Sequence, residues 1–121
     1  MRRRKRKPEL SREAALNARP VRGRVVQREE KRNGEVRLVM EFDRAAWIKR
    51  LDGRRKVRRT FMLDTLGREV YEACDGKPTV QDIVETFAER HGVGLAEAEY
   101  SVTTYLKTLI GKGLISMEVA D

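Results

Sequence analysis

Residues 61–87 read FMLDTLGREVYEACDGKPTVQDIVETF, and their reading decides the fold. Phe61-Met62-Leu63 ends an apolar, extended stretch. Asp64 follows as an N-cap whose carboxylate can accept from free backbone N–H groups, and a helix begins after it. Its apolar line is Leu66, Val70, Ala73 and Cys74. Asp75 to Pro78, "DGKP", stops that helix with a glycine and with a proline that cannot continue it. Thr79 caps the next helix, with Asp82 three residues on as a weaker form of the capping box. Val80, Ile83, Val84, Phe87 and Ala88 then recur at helical spacing and mark one buried face.

Outward towards the C-terminus, "HGVG" closes the second helix and a third runs from about Leu95 to Lys112. Ala98, Val102, Tyr105, Leu106 and Leu109 form its inward stripe. "LISMEV" ends the chain as a short strand or extended tail. Outward towards the N-terminus the period changes from helical to alternating. "EVRLVMEF" sets Val36, Leu38, Met40 and Phe42 against Glu35, Arg37, Val39 and Glu41. "PVRGRVVQREE" precedes it as a strand, and Asn33-Gly34 between them accepts positive φ at both central turn positions, which predicts a β-hairpin. "RRTFMLD" is the third strand. Between the second and third strands, "DRAAWIKRLDGRRKV" fits an irregular loop or a second short hairpin around Asp52-Gly53 equally well. Strands followed by three short helices predict an α+β domain, a three-stranded antiparallel sheet packed on a winged helix-turn-helix arrangement. Residues 1–18 are expected to be a basic, mostly solvated and mobile tail, with a helical turn or two around "ELSREAALN", and residues 19–121 the domain.

Charge is unevenly placed. The net charge of +8 divides into +14 over residues 1–60 and −6 over residues 61–121. The single cysteine, Cys74, cannot form a disulfide within the chain, and its helix position predicts a small buried thiol. The charged start has no apolar stretch behind it, so it is no secretory signal, and no run is long enough to span a membrane. A cytoplasmic protein is expected.

The sequence offers no catalytic set and is read as a non-enzyme without cofactor or metal. His91 is the one histidine and stands at a helix end, where a donor near the last carbonyls is the ordinary explanation. One histidine and one cysteine give no zinc-site spacing. DNA binding is the rival that the winged-helix outline raises. A recognition helix presents Arg, Lys, Asn or Gln to bases and phosphates. Residues 79–112 instead set Arg90, Lys107 and Lys112 against Asp82, Glu85, Glu89, Glu97 and Glu99, a surface that phosphate repels. The DNA-binding regulator is therefore kept as the alternative, resting on the basic N-terminal half alone.

The segment from Phe61 to Val93, followed by "YLKTLIGKGLI", resembles the PqqD-like family. The features that carry the resemblance are Leu63-Asp64, Gly67, the aromatic Tyr71, Asp75-Gly76, Thr79-Val80, Ile83, Leu109 and Gly113-Leu114-Ile115. The hairpin and the "EFDRAAW" segment around Trp47 extend the likeness over roughly residues 20–119. The basic tail and "RLDGRRKVRR" depart from the family pattern.

The resemblance implies a peptide chaperone of pyrroloquinoline quinone biosynthesis or of other ribosomally made, modified peptides. Its partners would be the leader of a precursor peptide and a modifying enzyme, often a radical SAM maturase. It also implies that the leader adds as a strand to the edge of the third strand, beside the third helix. Main-chain groups on an open edge supply affinity and side pockets supply choice. On this chain that edge is Arg58, Arg59, Thr60, Phe61 and Met62. The wall is one flank of the third helix, either Ser101, Tyr105 and Thr108 or Thr103 and Ile110, and the first is taken. Plain core packing is the competing explanation for Phe61, Met62 and Tyr105. The cations from Arg54 to Arg59 are either a solvated strand or an attractor for an acidic leader. Exposed edges also pair between copies, which leaves a homodimer open.

Overall fold

The computed structural model describes residues 11–43 and 56–118. In chain order they form α1 (Arg12–Asn17), β1 (Arg19–Arg22), β2 (Val25–Glu30), β3 (Val36–Asp43) and β4 (Lys56–Leu63). There follow α2 (Thr65–Ala73), α3 (Val80–His91), α4 (Leu95–Gly111) and β5 (Ile115–Glu118). The fold is α+β and winged-helix-like, with an antiparallel sheet in the order β2-β3-β4 ahead of three helices. A second sheet pairs β1 with β5. Residues 44–55 of "DRAAWIKRLDGRRKV" lie outside the described residues, so the choice between loop and second hairpin falls there, as does Trp47.

Alternation decides which face of β3 is buried. Val36, Leu38 and Met40 are buried in the core, and Phe42 packs against it; Val39, expected on the outer side, is buried as well but outside that cluster. The helices contribute Val70, Tyr71 and Cys74 from α2, Val80, Ile83, Val84 and Phe87 from α3, and Ala98, Val102, Leu106 and Leu109 from α4. Leu114 and Ile115 close the same cluster from the C-terminal segment. One continuous core of this kind is what a chain of this size can bury.

The caps form as the residue types dictate. The Asp64 Oδ1 accepts from the Gly67 N–H at 2.7 Å. Thr79 and Asp82 make both bonds of a capping box, at 3.1 Å and 3.0 Å. These bonds satisfy N–H groups that a first helical turn leaves without a partner.

Four expectations need correction. Residues 19–30 are two strands rather than one. The chain breaks at Gly23-Arg24, where the Gly23 N–H donates to the Leu114 carbonyl at 2.8 Å, and β1 leaves to pair with β5. Residues 12–18 are part of the domain and not a solvated tail. Ser11 caps α1, Leu16 and Ala18 are buried, and the Ala18 carbonyl accepts from the Val80 N–H at 2.9 Å. Arg12 adds a two-pronged ion pair to Glu99, at 2.8 Å and 2.7 Å.

The hairpin turn between β2 and β3 is not the two-residue kind. The Gly34 N–H donates to the Lys31 carbonyl and the Lys31 N–H to the Glu35 carbonyl. Only Gly34, at φ 90°, takes a positive φ. This is a three-residue loop with a left-handed glycine, and Asn33 serves by accepting from the Glu35 N–H at 3.1 Å. On α2, finally, Leu66 is exposed, and the inward line is Gly67, Val70, Tyr71 and Cys74. Gly67 permits the closeness. A Cβ there would lie 3.0 Å from the Asp64 carboxylate and 3.5 Å from the Tyr105 ring.

Candidate peptide-binding edge

β4 pairs with β3 over its full length without a register break, from Val36 opposite Leu63 to Asp43 opposite Lys56. Opposite residues share a face, so the buried rows of β3 identify the faces of β4. Phe61 lies opposite Leu38, and Arg59 opposite Met40, on the core side. Phe61 is half-buried against the core, while Arg59 is exposed. Thr60 lies opposite Val39 and Met62 opposite Arg37 on the other face, where Met62 is 50% exposed. Arg58 faces Glu41, with 3.6 Å between Nε and the carboxylate, so its charge is partly matched.

The other edge of β4 has no strand beside it among the described residues. The C-terminal strand β5 is held on β1 in the register Ile115 opposite Arg22 to Glu118 opposite Arg19.

The expected wall residues sit along one side of α4. The Tyr105 ring packs over Gly67, and its hydroxyl is 3.5 Å from the Asp64 carboxylate, directly after β4. Partial burial, and then the charge of Asp64, push the Tyr105 phenol pKa up, so it stays protonated. Ser101 is half-buried one turn before it. Thr108 is exposed and donates to the Thr104 carbonyl of its own helix at 3.1 Å. On the alternative flank, Thr103 donates to the Glu99 carbonyl at 2.7 Å and Ile110 is 42% exposed.

Sequence reasoning missed two neighbours of these residues. Lys112 places Nζ 5.7 Å from the Phe61 ring centroid, over its face. Asp64 doubles as helix cap and as neighbour of Tyr105. The signal for Lys112 was present, because positions 101, 105, 108 and 112 continue one helical line.

The residues set aside for chemistry have structural partners. Cys74 is fully buried, its thiol 3.1 Å from the Val70 carbonyl oxygen, and burial pushes its pKa up to about 12. It holds no thiolate to attack with. His91 stands in the last turn of its helix, as expected, and makes a further contact. Its Nε2 lies 2.8 Å from Glu69 Oε1, which ties α3 to α2. Two clefts, of about 330 Å³ and about 390 Å³, lie between α2 and α3 and between β2 and α2. Neither touches β4. Strand addition uses a row of main-chain groups and needs no cavity.

Residues 51–115, more than half of the chain, match the family described as Coenzyme PQQ synthesis protein D (PqqD). The chain belongs to that family. The match takes in β4, the three helices and the first residue of β5, and leaves β2 and β3 outside, so it is narrower than the likeness over residues 20–119. No curated protein matches the chain, and no solved structure does. PqqD proteins are non-catalytic accessory proteins of coenzyme PQQ synthesis that work with a peptide and its modifying enzyme. Among the described residues no helix is long and apolar enough to cross a membrane.

Proposed function

We propose that the chain is a binding module that captures the leader of a ribosomally made precursor peptide by strand addition to β4. It then presents the peptide to a modifying enzyme of the radical SAM class, in the cytoplasm. The observation that carries this reading is an eight-residue strand of unbroken register whose outer edge is free of any strand among the described residues, while β5 is paired with β1. Unpaired N–H and C=O groups along such an edge supply sequence-tolerant affinity. The Tyr105 side of α4, anchored by its contacts with Gly67 and Asp64, fixes the angle between strand and helix and forms the wall for guest side chains.

Titration of isotope-labelled protein with the leader peptide encoded beside it, followed by amide shifts, tests this reading. Shifts concentrated in residues 57–63 and 101–112 are expected. Shifts elsewhere, with those residues silent, overturn it. A parallel titration with duplex DNA tests the regulator alternative, which requires tight binding with a steep dependence on salt.

A further inference from the structure

The open edge has a charge pattern of its own, and it selects among guests. A strand added beside β4 alternates its side chains between the two faces, so each guest residue shares a row with the β4 residue opposite it. On the core side that row holds Arg59 and Phe61, with Lys112 reaching over the Phe61 ring from the end of α4. No described carboxylate forms an ion pair with Arg59 or Lys112. Arg58, on the other face, already has Glu41. Beyond it stand Thr60 and the half-exposed Met62.

We infer that Arg59, Phe61 and Lys112 form a subsite for an acidic residue spaced two positions from an apolar one on the guest strand. This rests on strand addition at β4. The guest's apolar side chain packs beside Phe61, where Lys112 and the neighbouring core keep water out of one side. Its carboxylate, one row along, lies between the Arg59 guanidinium and the Lys112 ammonium. The residue opposite Met62 points to the other face and is apolar as well. A guest running antiparallel to β4 therefore reads apolar, apolar, any residue, acidic; a parallel guest reads the reverse. Lys112 is the specificity-determining residue, because it contacts Phe61 from outside the strand and is absent from the edge itself.

The probe is a pair of synthetic peptides of about ten residues, the usual upper length of a strand. One carries two adjacent apolar residues, then threonine, then glutamate; the other replaces the glutamate with lysine. Affinity for the full chain is read from amide shifts along β4. The lysine peptide is expected to bind about fivefold or more weakly than the glutamate peptide, the scale of one exposed charge pair lost and reversed. In Lys112→Glu protein the preference should shrink or invert. Lys112→Met protein, which keeps the apolar stem over Phe61, should show a smaller preference, supplied by Arg59 alone, and retain the binding.

Equal affinity of both peptides, with shifts still on β4, overturns the charged subsite and leaves strand addition standing. Binding of neither peptide at β4, when the natural leader also fails there, overturns strand addition itself. A preference unchanged in both Lys112 variants removes Lys112 from the subsite.

Discussion

The β2-β3-β4 sheet has two edges, and they are finished differently. β2 is interrupted by a register shift between Val25 and Gln27 and presents Gln27, Arg28, Glu29 and Glu30. Its charges are tied down: Arg28 to Glu30 and to Glu72 of α2, Arg68 of α2 to Glu30, and Arg37 of β3 to Glu29. A bulge and a row of paired charges are the devices by which proteins prevent an edge from accepting another strand. β4 has neither. Its register with β3 is continuous, and its edge ends in Phe61 and a half-exposed Met62. One sheet thus blunts one edge and leaves the other fit for pairing, and a binding role for β4 accounts for the asymmetry.

The comparison breaks most sharply at Phe61. Phe61→Ala is expected to weaken leader binding more than about tenfold, as removal of a central aromatic anchor does. Val26→Ala on the opposite edge should leave binding within about twofold, since exposed contacts away from an anchor are near-neutral. Phe61 also packs against the core, so alanine there is a better probe than a charged residue, which would disturb folding as well. Isothermal titration, with urea unfolding as control, reads both variants. Equal losses at Phe61 and Val26 would move the guest to β2.

A smaller effect tests the closed edge. Arg68 joins Glu30 and Glu72 and donates to the Gly34 carbonyl at 3.1 Å. Arg68→Ala should lower stability by about 1 kcal/mol, the scale of a few partly exposed polar contacts. Leader affinity should not change. If the variant instead self-associates at its β2 edge, seen by sedimentation, the ion pairs are what keep that edge single. If neither stability nor association moves, they are ornamental and the bulge alone does the blunting.

The helices were legible from sequence because caps and apolar periodicity are local. Thr79 with Asp82, Asp64 with Gly67, and the line Val80, Ile83, Val84 and Phe87 all act within two turns. What was not legible depends on long-range partners. Nothing near Gly23 announces that its N–H will meet Leu114, so β1 and β2 read as one strand. Leu66 and Val70 fit one helical line as well as Gly67 and Val70 do. The close approach of Asp64, with the Tyr105 ring beyond it, selects the second, because a Cβ at 67 would lie 3.0 Å from the Asp64 carboxylate. The proposed wall followed the same rule: its spacing on α4 was readable, but the side that meets β4 was not. The contacts of Tyr105 with Asp64 and of Lys112 with Phe61 show which side of α4 adjoins that end of the strand.

The smallest expected effect is one of pH, and it separates the two edges again. The Arg68 guanidinium bonds to Glu30 and holds its carboxyl below the ordinary value of 4.5, and Arg37 does the same for Glu29. A carboxyl whose pKa is lower in the folded state binds fewer protons there than in the unfolded chain. Its contribution to stability is therefore complete above the ordinary value and is lost as pH falls through the depressed one. Urea midpoints measured from about pH 6 down to about pH 3 should fall towards acid, with a gentler slope in Glu30→Gln than in the parent. Hydrogen exchange should show the loss first in β2, whose charged cover dissolves, and later in β4, where the resolved ion pairs are fewer. If Glu30→Gln keeps the parent's full slope, or if β4 opens before β2, the closed edge owes its order to the bulge and to the β3 ladder, and not to its carboxylates.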